Sequence, residues 1–219
     1  MMLDVKTLQV LKNFSLINPS IIFKPGQVVS TISPGKTVMA KAKVSTTFEK
    51  QFAIYDLIRF ISAVTMFEDA EVELGETAAT IGKGKEKIRF IYSEPSLITA
   101  PPEKEINIGE PDIEFELTND MLTRILKAMP VVGAPEIAVT GRDGTIYLEA
   151  IDSKVSGKSS YQVEVGPTDK NFQMVFSADN IKLLPLDYKV SISKRGISHF
   201  KSEDVEYWIT LEANSRFDG

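Results

Sequence analysis

Residues 53–67 read Ala53-Ile54-Tyr55-Asp56-Leu57-Ile58-Arg59-Phe60-Ile61-Ser62-Ala63-Val64-Thr65-Met66-Phe67. Ile54, Leu57, Ile58, Ile61 and Val64 recur at the spacing of a helix with one buried face. The core of this stretch, Asp56-Leu57-Ile58-Arg59-Phe60, has a counterpart 123 residues further on in Asp179-Asn180-Ile181-Lys182-Leu183. A weaker pair is Leu11-Lys12-Asn13-Phe14 with Leu122-Thr123-Arg124-Ile125, at an offset of 111. Loop length absorbs the difference between the offsets, and the order of elements supports two copies of one unit. Any two amphipathic helices share such spacing, so the duplication rests on order as well as identity.

Around that stretch, the spacing predicts helices over Leu3–Ile17, Ala53–Phe67, Thr118–Met129 and Ser177–Leu184. Ser177 is the expected N-cap of the last, and Pro185 its stop. Most of the remaining chain alternates apolar and polar residues between Gly, Pro and Asp turns. It predicts strands over Gln27–Ile32, Lys36–Val44, Glu86–Tyr92, Glu136–Thr140, Thr145–Ala150, Ser160–Val165, Lys189–Ser193 and Glu206–Leu211. The class is α+β, not a βαβ succession. Pro95, Pro101, Pro102 and Pro111 crowd one stretch, and proline fixes φ and removes donors, so an extended connector is expected there. The division is a first domain over 1–94, a connector over 95–111 and a second domain over 112–219.

The length of 219 residues suffices for one large or two modest domains. With 43% apolar and 25% charged residues, the composition is that of a globular chain. No apolar run is long enough to span a membrane, and no secretory signal opens the chain. There is no cysteine and only one histidine, His199, which excludes disulfides and Cys/His zinc sites within one chain. Gly35-Lys36-Thr37 resembles the end of a phosphate-binding loop, but Ser30 stands where the first glycine belongs and a strand follows. It reads as a hairpin turn, as does Gly82-Lys83-Gly84. Glu68, Asp69, Glu71 and Glu73 read as solvated loop acids, and His199 as incidental. Trp208 reads as core or interface. No active site, metal site or cofactor site is expected.

The net charge of −5 is unevenly placed. The four predicted helices hold Lys6, Lys12, Arg59, Arg124, Lys127 and Lys182 against Asp4, Asp56, Asp120 and Asp179, leaving −7 on the rest. The acids lie near helix N-termini, where a carboxylate complements the dipole and caps free N–H groups. The bases lie further along, as a mild stripe. Such a stripe on an acidic body meets phosphates loosely, through salt-dependent and sequence-independent contacts. It is also what the solvated face of any amphipathic helix carries.

Over nearly its whole length the chain resembles the sliding clamps of T-even-type bacteriophages, the DNA polymerase processivity factors, similar in fold to proliferating cell nuclear antigen and bacterial beta clamps. The resemblance is carried by Leu11-Lys12-Asn13-Phe14 with Ile17-Asn18, by Ala53-Ile54-Tyr55-Asp56-Leu57, and by Leu211-Glu212-Ala213 with Ser215, in family order. It implies a DNA clamp fold: two similar domains, each with antiparallel sheets outside and two helices inside, assembling into a homotrimeric ring around double-stranded DNA. It further implies a non-enzymatic tether for the replicative DNA polymerase, loaded by an ATP-dependent clamp loader. Late-transcription factors are further partners, and the setting is the cytoplasm of the infected bacterial host. By helix position, Lys6, Lys12, Arg59, Arg124, Lys127 and Lys182 would face DNA. Val38, Leu97 and Ile98 would line a pocket for partner tails. The competing reading is a β-rich phage structural or adaptor protein that does not encircle DNA; a third is an enzyme with an unrecognised carboxylate site.

Overall fold

Asp4 starts the first helix. Its extended backbone (φ −73°, ψ 167°) turns the carboxylate onto the Thr7 N–H, 3.0 Å away, satisfying a donor that the helix leaves open. α1 (Val5–Ile17) buries Val10, Leu11, Phe14 and Ile17 along one face. The computed structural model describes residues 1–155 and 157–219, and the chain divides into two compact units, Met1–Lys104 and Glu105–Gly219.

In the first unit, β1 (Ile21–Phe23) pairs antiparallel with β4 (Phe52–Ile54), and β2 (Gly26–Ile32) with β3 (Val38–Phe48). α2 (Leu57–Thr65) packs on α1 and leads to a three-stranded sheet, β5 (Glu71–Leu74), β6 (Ala78–Lys83) and β7 (Glu86–Ile91). Phenylalanines join the layers. Phe23 stacks on Phe52 with centroids 4.5 Å apart, and Phe60 of α2 meets Phe90 of β7 edge-on at 5.4 Å. Such pairs add stability beyond the area they bury. The predicted helix over Ala53–Phe67 is corrected at its start. Ala53 and Ile54 belong to β4, because Asp56 caps α2 at the Arg59 N–H (2.9 Å) with a non-helical backbone.

In the second unit, β8 (Ile113–Leu117) is followed by α3 (Asn119–Val132), which Gly133 closes in the left-handed region at φ 68°. α3 runs three residues past its predicted end. Pro130 forfeits one N–H in the last turn, and its fixed φ is compatible with a helix. β9 (Glu136–Arg142) and β10 (Thr145–Ile151) are joined by Asp143 and Gly144, both at positive φ, the conformation a two-residue hairpin turn demands. With β11 (Tyr161–Pro167), β12 (Phe172–Ser177) and β16 (Arg216–Phe217) they form a sheet ordered β11-β10-β9-β12-β16. β13 (Tyr188–Ser193), β14 (Ile197–Lys201) and β15 (Val205–Thr210) form a second antiparallel ladder with β8. The core of the unit gathers Leu122 and Ile125 of α3 with Val139, Leu148, Phe176 and Phe200.

The fourth predicted helix does not form. Only a 3-10 turn, Ala178–Asn180, follows β12, and the Ser177 side chain makes no capping bond. Ile181 and Leu183 are both buried, the period of an extended chain rather than a helix. Pro185 disfavours helical backbone at Leu184. The Leu184 peptide groups are already engaged, its N–H by the Tyr207 hydroxyl (3.3 Å) and its C=O by that of Tyr188 (2.8 Å). The expectation of two helices per domain therefore holds for the first unit, and the second has one α-helix among its described residues.

Candidate nucleic-acid interface

α1 exposes Val5, Lys6, Gln9, Lys12 and Leu16 along one stripe, because its 3.6-residue period turns Leu11, Phe14 and Ile17 inward. Lys6 and Lys12 thus share the outward face that the sequence predicts. Asn13, next to Lys12 in sequence, is buried at 7% exposure. α2 exposes Ile58, Arg59, Ser62, Thr65 and Met66, so Arg59 is its only cation, set among apolar and hydroxyl side chains. α3 exposes Asp120, Arg124 and Lys127 one turn apart. Arg124 Nε lies 2.9 Å from Asp120 Oδ2, and this exposed pair tempers the arginine's charge toward a phosphate. Lys127 has no such partner among the described residues. Lys182 departs from its expected place: it lies on the half-buried extended stretch after the 3-10 turn, not on a helix.

The three residues expected to receive partner tails differ in exposure. Val38 (3% exposed) and Ile98 (7%) are buried, while Leu97, at the end of the 3-10 turn Pro95–Leu97, stands 68% exposed. Hydrogen bonds tie their surroundings together. The buried Asn18 amide donates to Ile32 C=O at 2.9 Å and to Thr99 C=O at 3.3 Å. Ser33 N–H donates to Val38 C=O at 2.8 Å. Asn18 is thus the joint that brings the segment after Leu97 and Ile98 to the β2–β3 turn carrying Val38.

Two features were not read from the sequence. Residues 20–50 hold Lys24, Lys36, Lys41, Lys43 and Lys50 against Glu49 alone, a concentration of base on β3 and the turns around it, outside the helices. Second, the His199 ring lies parallel to Trp208, with centroids 4.7 Å apart, as their cross-strand pairing on β14 and β15 dictates. Burial pushes the imidazole pKa below its ordinary value, against the opposing pull of Glu206, whose Oε2 is 3.1 Å from Nε2. His199 is therefore neutral at pH 7. The stack buries Trp208 to 7% exposure and leaves its Nε1 without a hydrogen-bond partner among the described residues. Gly35-Lys36-Thr37 forms the β2–β3 turn, with Lys36 at φ 56° and the Thr37 N–H on Ser33 Oγ at 3.0 Å. No group of three or more potential metal ligands occurs among the described residues, and no helix there is long and apolar enough to cross a membrane.

Two family models match in tandem. The DNA polymerase processivity factor model covers residues 4–93, and the gp45 sliding clamp C-terminal model covers residues 104–213. The sliding clamp of Vibrio phage KVP40 is 34% identical over 97% of this chain and all of its own length. That of Enterobacteria phage T4 is 28% identical over the full length of both. Among solved structures, A. fulgidus PCNA bound to the C-terminal region of FEN-1 superposes with a TM-score of 0.69 at 13% identity, over 95% of this chain and 96% of that one. The last likeness shows the fold; the tandem matches and the phage relatives show the lineage. The chain belongs to the gp45 sliding-clamp family of phage DNA polymerase processivity factors.

Proposed function

We propose that three copies of this chain close into a ring that encircles duplex DNA and tethers the phage replicative polymerase without catalysing a reaction itself. The observation that carries the proposal is the tandem family match, one model to each half of the chain. On this reading residues 1–94 and 112–219 are the two clamp domains, and 95–111 the connector between them.

The strand edges support assembly. β5 is occupied on its outer edge, since Val72 exchanges hydrogen bonds of 2.8 Å with both backbone ends of Met1. β16 is only two residues long. β7 and β11, of six and seven residues, are the opposite terminal strands of those two sheets. β7 carries Lys87 and Arg89 against Glu86, with the 64%-exposed Ile91 at its end; β11 carries Glu164. Pairing β7 of one copy with β11 of the next is a heterologous contact, which closes into a ring when the rotation fits. Sheets then run from copy to copy, and Lys6, Lys12, Arg59, Arg124 and Lys127 of each copy face the bore. Lys182 belongs to that set only as a residue of an extended segment.

A few cations per copy give weak phosphate contacts, and encirclement turns weak contacts into persistence, because the ring slides without leaving. The face around Val38, Leu97 and Ile98 receives partner tails; the C-terminal region of FEN-1 on the A. fulgidus protein is a parallel. An ATP-dependent loader and late-transcription proteins complete the partner set, in the host cytoplasm. The test combines sedimentation with retention on DNA. A trimer that is held on nicked circular DNA after loading and lost on linearisation is the expected result. A monomer, or release indifferent to DNA ends, overturns the proposal.

A further inference from the structure

The chain enters β13 beside the start of α3. β13 pairs antiparallel with β8, Tyr188 opposite Leu117, so Asp187 arrives next to Thr118, where β8 gives way to the helix. There its Oδ1 accepts the Asn119 N–H at 2.6 Å, while the Thr118 hydroxyl accepts the Met121 N–H at 3.3 Å. Two of the donors that a helix leaves open at its start are thus met, one of them from 68 positions away. The segment that delivers Asp187 is itself held. Leu184 is bonded by the hydroxyls of Tyr188 and Tyr207, and the Leu186 N–H turns back to the Leu184 C=O at 2.9 Å. Ile181 and Leu183 face the same apolar core as Leu122 and Ile125 of α3. This strap stands where the sequence predicts a fourth helix, and it braces α3.

Asp120 lies in the first turn of α3, and its Oδ2 holds Arg124 Nε at 2.9 Å. Side chains four residues apart meet in this way only while the backbone between them stays helical. We propose that Asp187 is a positioning residue for the DNA contact of α3. By holding the Asn119 N–H it keeps the first turn wound, so that Asp120 stays on Arg124 and the helix meets phosphate mainly through Lys127. The inference rests on the ring reading, in which α3 faces the bore, and adds to it a device that limits grip. A ring that travels along DNA gains from shallow contacts, since each phosphate held firmly must be released before the next step. Asp187 acts through the α3 backbone and needs no contact with DNA.

Three variants separate position from charge. Asp187→Ala removes the acceptor, Asp187→Asn keeps an acceptor without the charge, and Asp120→Ala frees Arg124 with the cap in place. The readouts are backbone amide hydrogen exchange in DNA-free protein and one-dimensional sliding of the loaded, labelled protein on duplex DNA at several salt concentrations. Asp187→Ala speeds exchange of the Asn119 amide by about fivefold or more, the worth of a lost cap. It also slows sliding by about twofold at low salt, the worth of one exposed ionic contact, and the slowing fades as salt rises. Asp120→Ala slows sliding to the same degree while the Asn119 amide stays protected, and Asp187→Asn behaves as the unaltered protein in both assays. A merely structural cap would change exchange and leave the salt dependence of sliding where it was. The proposal is overturned if Asp187→Ala leaves exchange or sliding unchanged, or if Asp187→Asn slows sliding as much as Asp187→Ala does. Unaltered protein that does not slide on DNA at all sinks the ring reading and this inference with it; unaltered protein that slides, matched by every variant, sinks this inference alone.

Discussion

The Thr46 hydroxyl on β3 donates to Oδ2 of Asp4 at 3.0 Å, across 42 positions of sequence. The same carboxylate caps α1 through the Thr7 N–H and accepts the Thr7 hydroxyl at 2.8 Å. One side chain therefore starts the helix and fastens it to the sheet beneath. Burial opposes its ionisation, but the hydrogen bonds from Thr7 and Thr46 outweigh burial and hold the carboxyl below its ordinary value. Asp4→Ala is expected to cost about 1–2 kcal/mol in denaturant unfolding, the worth of a lost N-cap. A lowered carboxyl pKa adds stability above about pH 4 that is lost as pH falls through the folded value. Asp4→Asn flattens that acid limb; an unchanged limb would place the acid sensitivity elsewhere.

Lys12 on α1 and Lys127 on α3 are exposed cations free of ion pairs among the described residues. Reversing both, Lys12→Glu with Lys127→Glu, is expected to weaken polymerase stimulation at moderate salt and to flatten its salt dependence, with unfolding unchanged. Arg124→Ala should do less, because Asp120 already occupies that guanidinium. Processivity on primed circular DNA at several salt concentrations checks both. Stimulation unaffected by the double reversal would take these lysines out of the bore.

Ile91, 64% exposed at the end of β7, becomes a buried contact if β7 pairs with a second copy. Ile91→Asp is then expected to shift the trimer to monomer at micromolar concentration, while stability measured on dilute monomer changes by less than about 0.5 kcal/mol, as for an exposed substitution. Analytical ultracentrifugation reads the first effect and denaturant unfolding the second. A trimer that survives the substitution argues for another edge.

Burial pushes the Tyr188 hydroxyl pKa far above its ordinary value, helped by the neighbouring Tyr207, and burial raises Tyr207 as well. Their rings meet edge-on with centroids 6.0 Å apart, over Leu184. Of the six tyrosines, these two should stay protonated in the native protein at pH 11 and ionise only on unfolding. Because the folded values are raised, stability is complete below about pH 10 and declines above it, as the unfolded chain begins to lose those protons first. Absorbance titration near 295 nm, native against denatured, checks the difference.

Much of the fold was legible because it is local. All eight strands read from alternation are present within a few residues of their predicted ends, since period-two burial leaves its mark on sequence. Asp4, Asp56 and Thr118 cap three helices as short polar side chains do. The 177–184 segment misled for a non-local reason: Ser177, Asp179 and Pro185 punctuate it like a helix, but Tyr188 and Tyr207, from strands that follow, take the Leu184 peptide groups. The site was legible in part. Lys6, Lys12, Arg59, Arg124 and Lys127 stand outward by helical periodicity, whereas the joint at Asn18 depends on Thr99, 81 residues away, and no spacing announces it.

A terminal strand that waits for its neighbour also tempts every other extended polypeptide in a crowded cell. On the proposed assembly, β7 of an unassembled copy offers a row of backbone donors and acceptors ending in an exposed isoleucine. With Lys87 and Arg89 against Glu86 the row is net basic, so on the proposed assembly two identical edges repel while an acidic one is still admitted. Neutralising both should raise the fraction of newly made protein lost to inclusion bodies, even where the finished assembly is no less stable.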